Sequence, residues 1–390
     1  MPEITAFRCV NCGTDFTEPH FTGCPRCRQA GTPANLYPLY PPDPRSPDAV
    51  KADWASGKGP GVWRFADRLP HIPAACRLSL GEGNTPLIPL PRLGRALGPV
   101  ELWLKDESRN PTWSWKDRLM AVAVSAGLAA GATAVAGSST GNAGASLAAY
   151  AGRGGLPAYI FATAPLPEPM RALMQSYGAR LFTVPTREDR FKLVQQGMAR
   201  RGWYPATNLS EPPVGSNCLG VEGYKTLAFE VALALNFAMP DAIVVPTSNG
   251  DGLFGMWRGL AELQELGLAR RAPRLVAARP AQKETVAFSL GKPPEALQVT
   301  LALKQSNGQT CFVPEDEIIA MQLRLAQTEG LYLEAASVVG LCALAQLTLP
   351  ASSRVVVVGT STGLKDPAAT LRRLPPPPAI EGRLAAVPEG

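Results

Sequence analysis

The stretch Asn110-Pro111-Thr112-Trp113-Ser114-Trp115-Lys116-Asp117-Arg118 stands immediately before residues 119–152, which carry no charge. Asn110-Pro111-Thr112 reads as a turn, because proline presets one backbone angle and the Asn and Thr side chains can bond nearby amides. Lys116 therefore sits at the mouth of a buried helix, flanked by Trp113 and Trp115, with Asp117 and Arg118 available to pair with each other. A partly desolvated lysine has a lowered pKa and can act as a neutral amine nucleophile, the state that forms a Schiff base. Taken alone, Lys-Asp-Arg at a helix start is an ordinary ion pair. The rest of the chain argues for the amine.

With 390 residues the chain has material for two to three domains with large cores. Its 46% hydrophobic and 18% charged content is that of a globular protein rather than a disordered one. The net charge of +6 is modest and its basic residues are scattered, so charge gives no support for a nucleic-acid partner. Residues 1–8 lack the basic start and apolar run of a secretory signal. The uncharged stretch 119–152 is rich in Gly, Ala, Ser and Thr, whereas a lipid-facing helix is rich in Leu, Ile and Phe. It reads as a buried helix–strand–helix, and the protein as cytoplasmic with no membrane partner.

Cys9, Cys12, Cys24 and Cys27 form two C-x-x-C pairs near the N-terminus. Each pair can turn two thiolates toward one ion, and two pairs complete a tetrahedral site for structural Zn²⁺. A disulfide pair is the competing reading and is disfavoured without an export signal. A module of this size cannot bury a core of its own, so the metal would fold it. His20 could ligate, but four cysteines already fill the site. Cys76, Cys218, Cys311 and Cys342 are isolated and read as core residues or inert thiols.

The expected organisation is a zinc ribbon over 1–35, a proline-rich connector over 36–74, a catalytic region over 75–373 and a tail over 374–390. Within the catalytic region strands are predicted at 102–105, 134–136, 158–161, 180–183, 242–245, 274–277 and 354–358. Helices are predicted between them at 119–128, 145–151, 168–177, 223–234 and 314–329. This alternation implies an α/β fold whose largely parallel sheet is covered on both faces.

Two strand–loop–helix units carry small-residue loops: Gly137-Ser138-Ser139-Thr140-Gly141-Asn142 and Thr247-Ser248-Asn249-Gly250-Asp251-Gly252. Glycines let backbone amides approach an anion, and the following helix N-terminus adds its positive end. Neither loop is a Walker A sequence or carries the full dinucleotide glycine spacing. Ligands of such sheets lie at the carboxyl ends of strands, where these loops gather. A third turn, Gly359-Thr360-Ser361-Thr362-Gly363, follows another apolar strand and could present Thr360 to a heterocycle. Lys225, in Glu222-Gly223-Tyr224-Lys225-Thr226, reads as solvated.

These pieces together resemble threonine synthase and, more broadly, the tryptophan synthase β-type (fold type II) enzymes that use pyridoxal 5'-phosphate (PLP). The ordered motifs are Glu82-Gly-Asn-Thr-Pro-Leu87, Leu104-Lys-Asp-Glu107, residues 110–118, Ser139-Thr-Gly-Asn142, Glu222-Gly-x-Lys-Thr226, residues 248–252 and Thr360 with Gly363-Leu-Lys-Asp366. N-terminal zinc ribbons also occur among threonine synthase-like proteins. The resemblance implies a two-domain catalytic region, the smaller part near 115–210 and the larger from 75–114 and 211–373, assembled as a homodimer. It implies that Lys116 binds the cofactor aldehyde and serves as the catalytic base. Asn142 would bond its phenolic oxygen, the amides of Ser248, Asn249, Gly250, Asp251 and Gly252 would cradle its phosphate, and Thr360 would face its pyridine nitrogen. Ser139 and Thr140 would hold the substrate carboxylate.

Four departures bear on the substrate. Trp113 stands where the family usually has Gly, and Trp115 replaces Phe beside the lysine. Gly220 replaces an arginine expected to grip a substrate phosphate, and Thr362 replaces a histidine. Asp251 lies inside the phosphate loop, where its carboxylate must turn outward to avoid repulsion. The implied function is a PLP-dependent lyase or synthase acting on an α-amino acid with a β- or γ-leaving group, led by O-phosphohomoserine to threonine. The alternatives are dehydration or β-replacement on serine, threonine or a derivative, and a non-catalytic zinc-ribbon binding protein.

Overall fold

Two sheets organise the main body, and the loops at their carboxyl ends face each other. The computed structural model describes residues 3–98, 101–291 and 293–379. The part of the expected tail beyond residue 379 lies outside them. The larger sheet has six strands in the order Gln309–Val313, Arg274–Pro280, Ala242–Pro246, Arg354–Gly359, Glu101–Asp106 and Leu87–Pro89. All its neighbours are parallel except Leu87–Pro89, which runs against Glu101–Asp106. The smaller sheet is parallel, in the order Arg180–Val184, Ala158–Thr163, Val135–Ser138 and Tyr204–Pro205.

Each sheet reverses its winding once. From Ala242–Pro246 the chain proceeds to Arg274–Pro280 and Gln309–Val313 on one side, while Arg354–Gly359 lies on the other. In the smaller sheet the same reversal separates Val135–Ser138 from Tyr204–Pro205. Loops at such a switch point diverge and open a crevice for ligands. The loops after these four strands begin at Thr247, Thr360, Ser139 and Ala206.

The helix Lys116–Ala129 is buried from Asp117 through Gly127, on every face. Small side chains permit this: a Cβ at Gly220 would lie 2.8 Å from Ala123 Cβ, and one at Gly223 would lie 2.0 Å from the Arg118 carbonyl oxygen. Backbone thus packs against backbone where Cys218–Val221 and the 3-10 turn Glu222–Tyr224 cross this helix. One apolar cluster joins Val135, Leu147 and Tyr150 of the smaller half to Ile243, Val245 and Leu275 of the larger.

Residues 36–74, expected as an extended connector, are more ordered than that. Leu36–Leu39 pairs antiparallel with Ala6–Cys9 as the third strand of the cysteine-rich module. Pro38 sits on this edge, where a missing N–H costs no ladder bond. The helix Pro47–Ala55 buries Trp54 against Phe65 and Phe229, with ring centroids 5.3 and 4.7 Å away. Among the described residues no helix is long and apolar enough to cross a membrane.

Candidate active site

A cavity of about 450 Å³ lies between the two sets of loops, and Lys116, Ser139, Thr140, Asn142, Glu334, Thr360 and residues 248–252 all line it. Every residue singled out for the cofactor and for the substrate therefore meets at one place. The volume is that of a small-molecule site.

Lys116 is the first residue of its helix. Its Nζ lies 5.4 Å from the Trp115 ring centre and 5.8 Å from that of Tyr224. Burial pushes its pKa down, and the carboxylates of Asp251 and Glu334 oppose that only in part. The side chain remains partly accessible from the cavity. Asp117 and Arg118 do not pair as expected. Asp117 accepts from the Thr112 amide at 2.7 Å, the Thr112 hydroxyl at 2.6 Å and the Ser146 hydroxyl at 2.5 Å. Arg118 turns the other way, onto Glu107 and Glu230, each at 2.7 Å. Lys225 is likewise buried rather than solvated, held by Glu222 at 2.6 Å and Glu262 at 2.7 Å.

Gly250 adopts φ 87°, which glycine supplies freely, and starts the helix Asp251–Glu265 without a side-chain cap. No acceptor for the amides of Asn249, Gly250, Asp251 and Gly252 is present among the described residues. The Asp251 carboxylate turns onto the Ser216 amide (2.9 Å), the Ser216 hydroxyl (2.7 Å) and Gln298 Nε2 (2.9 Å), as repulsion from a bound phosphate requires. Across the cavity the helix Asn142–Arg153 is capped by Ser139 rather than by its N-cap residue Gly141, which leaves the Asn142 and Ala143 amides without an acceptor among the described residues. There Ser139 Oγ accepts from the Gly141 and Gly144 amides at 3.2 and 3.0 Å. Two helix N-termini with free donors facing one cavity suit two anionic groups.

Asn142 is fixed at both ends of its amide: Nδ2 donates to Glu334 Oε2 at 3.1 Å, and Oδ1 accepts from Lys365 Nζ at 2.8 Å. Thr360 Oγ1 meets Ser337 Oγ at 2.8 Å. Of the two tryptophans, Trp115 is the one that shapes the cavity. It lies so close over Gly252 that a Cβ there would be 2.2 Å from its Cη2. Trp113 points out, 46% exposed, with φ 56°, a region that suits the glycine usual at this place.

The family model for pyridoxal-phosphate dependent enzymes matches residues 78–361. The chain belongs to that family. Threonine synthase of Methanocaldococcus jannaschii is 31% identical over 408 residues, with 96% of each chain covered. Threonine synthase of Methanosarcina acetivorans is 30% identical, with 98% of this chain and 97% of its own covered. Among solved structures, maize serine racemase has the same fold at a TM-score of 0.64 and 18% identity, covering 75% of this chain and 91% of its own. This pyridoxal-phosphate enzyme is therefore a lyase of the threonine synthase-like group on the fold type II scaffold. Its cavity fits the cofactor: an amine of lowered basicity, a phosphate-sized set of free amides and a hydroxyl for a ring nitrogen line one space.

Glu334 and Lys365 were missed as site residues by the sequence reading. Glu334, before the helix Ala335–Cys342, is buried and has its pKa raised by that burial. Lys365 is pushed down to about 8 by burial, against the pull of Glu334 and Asp117. Lys365 belongs to the motif Gly363-Leu364-Lys365-Asp366, which was noticed without a role. Glu334 had no local signal beyond an acid at the head of an apolar helix.

In the N-terminal module the four sulfurs of Cys9, Cys12, Cys24 and Cys27 lie within 4.8 Å of one another. Cys9–Cys27 and Cys12–Cys24 are 3.6 and 3.8 Å apart, and none of the four forms a disulfide. Tetrahedral Zn–S bonds of about 2.3 Å require sulfur separations of about 3.8 Å. The Asn11 amide donates to Cys9 Sγ at 3.4 Å, as a thiolate favours. His20 instead packs edge-on against Phe16.

Proposed function

We propose that this enzyme converts O-phosphohomoserine to threonine, with Lys116 as its catalytic amine. One observation carries the reading: a lysine of lowered basicity faces two helix N-termini with free amides across a single cavity. When bound, PLP supplies the electron sink for charge left at the substrate Cα. The amides of residues 248–252 would hold its phosphate, and Lys116 its aldehyde carbon. Asn142, held in place by Glu334 and Lys365, would bond the phenolic oxygen. Thr360 would offer a hydroxyl to the ring nitrogen, an interaction that does not force a proton onto it as a carboxylate would.

Ser139, Thr140 and the helix start at Asn142 would hold the substrate carboxylate. That would place Cα near Lys116, whose amine would serve as the base for the α-proton. Trp115 and Tyr224 pack around the amine and contribute to the burial that lowers its pKa. In the N-terminal module we assign Zn²⁺ to the four cysteines on their sulfur spacing, as a structural ion with no open position.

A second reading, dehydration or β-replacement on serine, threonine or a derivative, is favoured by Gly220, where the arginine usual in the family is absent. The test is direct. Borohydride reduction of the loaded protein should fix the cofactor to Lys116, as peptide mapping reads. O-phospho-L-homoserine should yield threonine and inorganic phosphate, whereas 2-oxo acid from serine or threonine would favour the second reading. A visible cofactor band retained by Lys116→Ala would sink the assignment of the amine.

A further inference from the structure

Two arginines on the smaller half line the cavity and have no part in the steps above. Arg187 and Arg190 lie in the first turn of the helix Arg187–Arg201, three residues apart. Both placements are unfavourable: like charges at this spacing repel, and cations at a helix N-terminus oppose its dipole. The Thr186–Asp189 capping box offsets the second cost only in part.

Arg190 is 8% exposed, and among the described residues no carboxylate lies within salt-bridge range of it. Its Nη1 donates to Thr140 Oγ1 at 3.0 Å, while its Nε is buried with no acceptor. Arg187 Nε is also buried without an acceptor, and its sole ion pair among the described residues is a partly exposed one with Glu211 at 3.4 Å. The two guanidinium groups flank the Phe191 ring at 5.8 and 5.9 Å. Burial and the neighbouring Arg187 charge push Arg190 down to about 10, which marks a cation short of counter-charge. Lys283 adds a third positive charge to the same lining.

Position 220 cannot supply an anion grip. A Cβ there would already be 2.8 Å from Ala123 Cβ and 3.1 Å from the Leu119 carbonyl oxygen, so no arginine fits. We propose that Arg187 and Arg190 form the subsite for the anionic leaving group of the substrate, a phosphate ester, from the opposite side of the cavity. The planar fork of an arginine matches two phosphate oxygens, and two forks match a dianion. Through Thr140, Arg190 also touches the loop assigned to the α-carboxylate. The inference rests on the phosphohomoserine reading above.

The test uses the cofactor-loaded enzyme, whose own phosphate cradle is filled. Calorimetric titration with inorganic phosphate should show one further binding event, weakened at least tenfold by Arg190→Gln or Arg187→Gln and less by Arg190→Lys. In kinetics, Arg190→Gln should raise KM for O-phospho-L-homoserine at least tenfold and change KM for uncharged O-acetyl-L-homoserine less than twofold. Phosphate affinity unchanged in both Gln variants overturns the subsite. So does an equal rise in KM for both substrates, which would make Arg190 a support for Thr140. Should Arg190→Gln fail to load cofactor, the more exposed Arg187→Gln carries the test. If the wild type binds this phosphate but does not turn over O-phospho-L-homoserine, the subsite stands and threonine formation falls.

Discussion

Asn35, on the last loop of the cysteine-rich module, donates from Nδ2 to the Ser216 carbonyl oxygen at 3.1 Å. Ser216 is the residue that holds the Asp251 carboxylate away from the cavity. Asn35 is itself tied to the cysteine loops, since its carbonyl accepts from Val10 N at 3.0 Å. The cysteine-rich module therefore braces the loop assigned to the cofactor phosphate. Chelating the metal should raise the cofactor dissociation constant about tenfold, or about 1.4 kcal/mol. Asn35→Ala should cost about 1 kcal/mol, the worth of one hydrogen bond. Equal cofactor affinity before and after chelation would show that the module does not brace the loop.

Arg118 is fully buried and gives its N–H groups to Glu107, Glu230 and Thr226. Arg118→Met would leave two buried carboxylates facing Lys105 alone. Breaking such a network from one side costs about 3–5 kcal/mol, because the remaining charges stay desolvated. Urea unfolding at neutral pH should read this loss in the first transition. A loss under 1 kcal/mol would mean that water reaches the carboxylates.

Among the described residues Asp117 has no cation within salt-bridge distance, and burial raises its pKa to about 6, partly countered by Ser146 and Thr112. The folded chain thus binds this proton more tightly than the unfolded chain does. Stability from this group is present at low pH and is lost as pH rises from about 4 to about 6. Asp117→Asn removes the titration. The difference in unfolding free energy should move toward the variant by about 2–3 kcal/mol between pH 4 and pH 6.5. A difference that stays flat across that range would refute the shift.

Gly220 leaves no room for a side chain, so restoring the arginine usual in the family should fail. Gly220→Ala should destabilise the fold by about 1–3 kcal/mol through overpacking against Ala123 and Leu119. Gly220→Arg should lose more and should not improve KM for O-phospho-L-homoserine. An improved KM in that variant would show that the two helices can separate.

Seven of the nine parallel strands among the described residues, and the loops after them, were legible as apolar runs between small-residue turns, whereas the polar start of Gln309–Val313 hid that strand. Short strands such as Leu87–Pro89 and Tyr204–Pro205 carried too few residues for a period to show. Glu334 and Lys365 were hidden for a different reason. Their significance is their contact with Asn142, about 200 residues earlier in the chain, and no local pattern encodes that. The helix over residues 47–55 was obscured by prolines that stop a strand yet suit a helix start. The pairing of Arg118 with Glu230 depends equally on the fold, since Asp117 is the nearer acid in sequence.

Trp115 packs against the loop that would receive the cofactor phosphate and lies beside the amine that would receive its aldehyde. Excitation of an indole in that position drains into any chromophore bound there. The chain thus contains its own optical gauge of coenzyme occupancy: emission should dim on loading and brighten on release, and Trp115→Phe should blunt that response among the seven tryptophans.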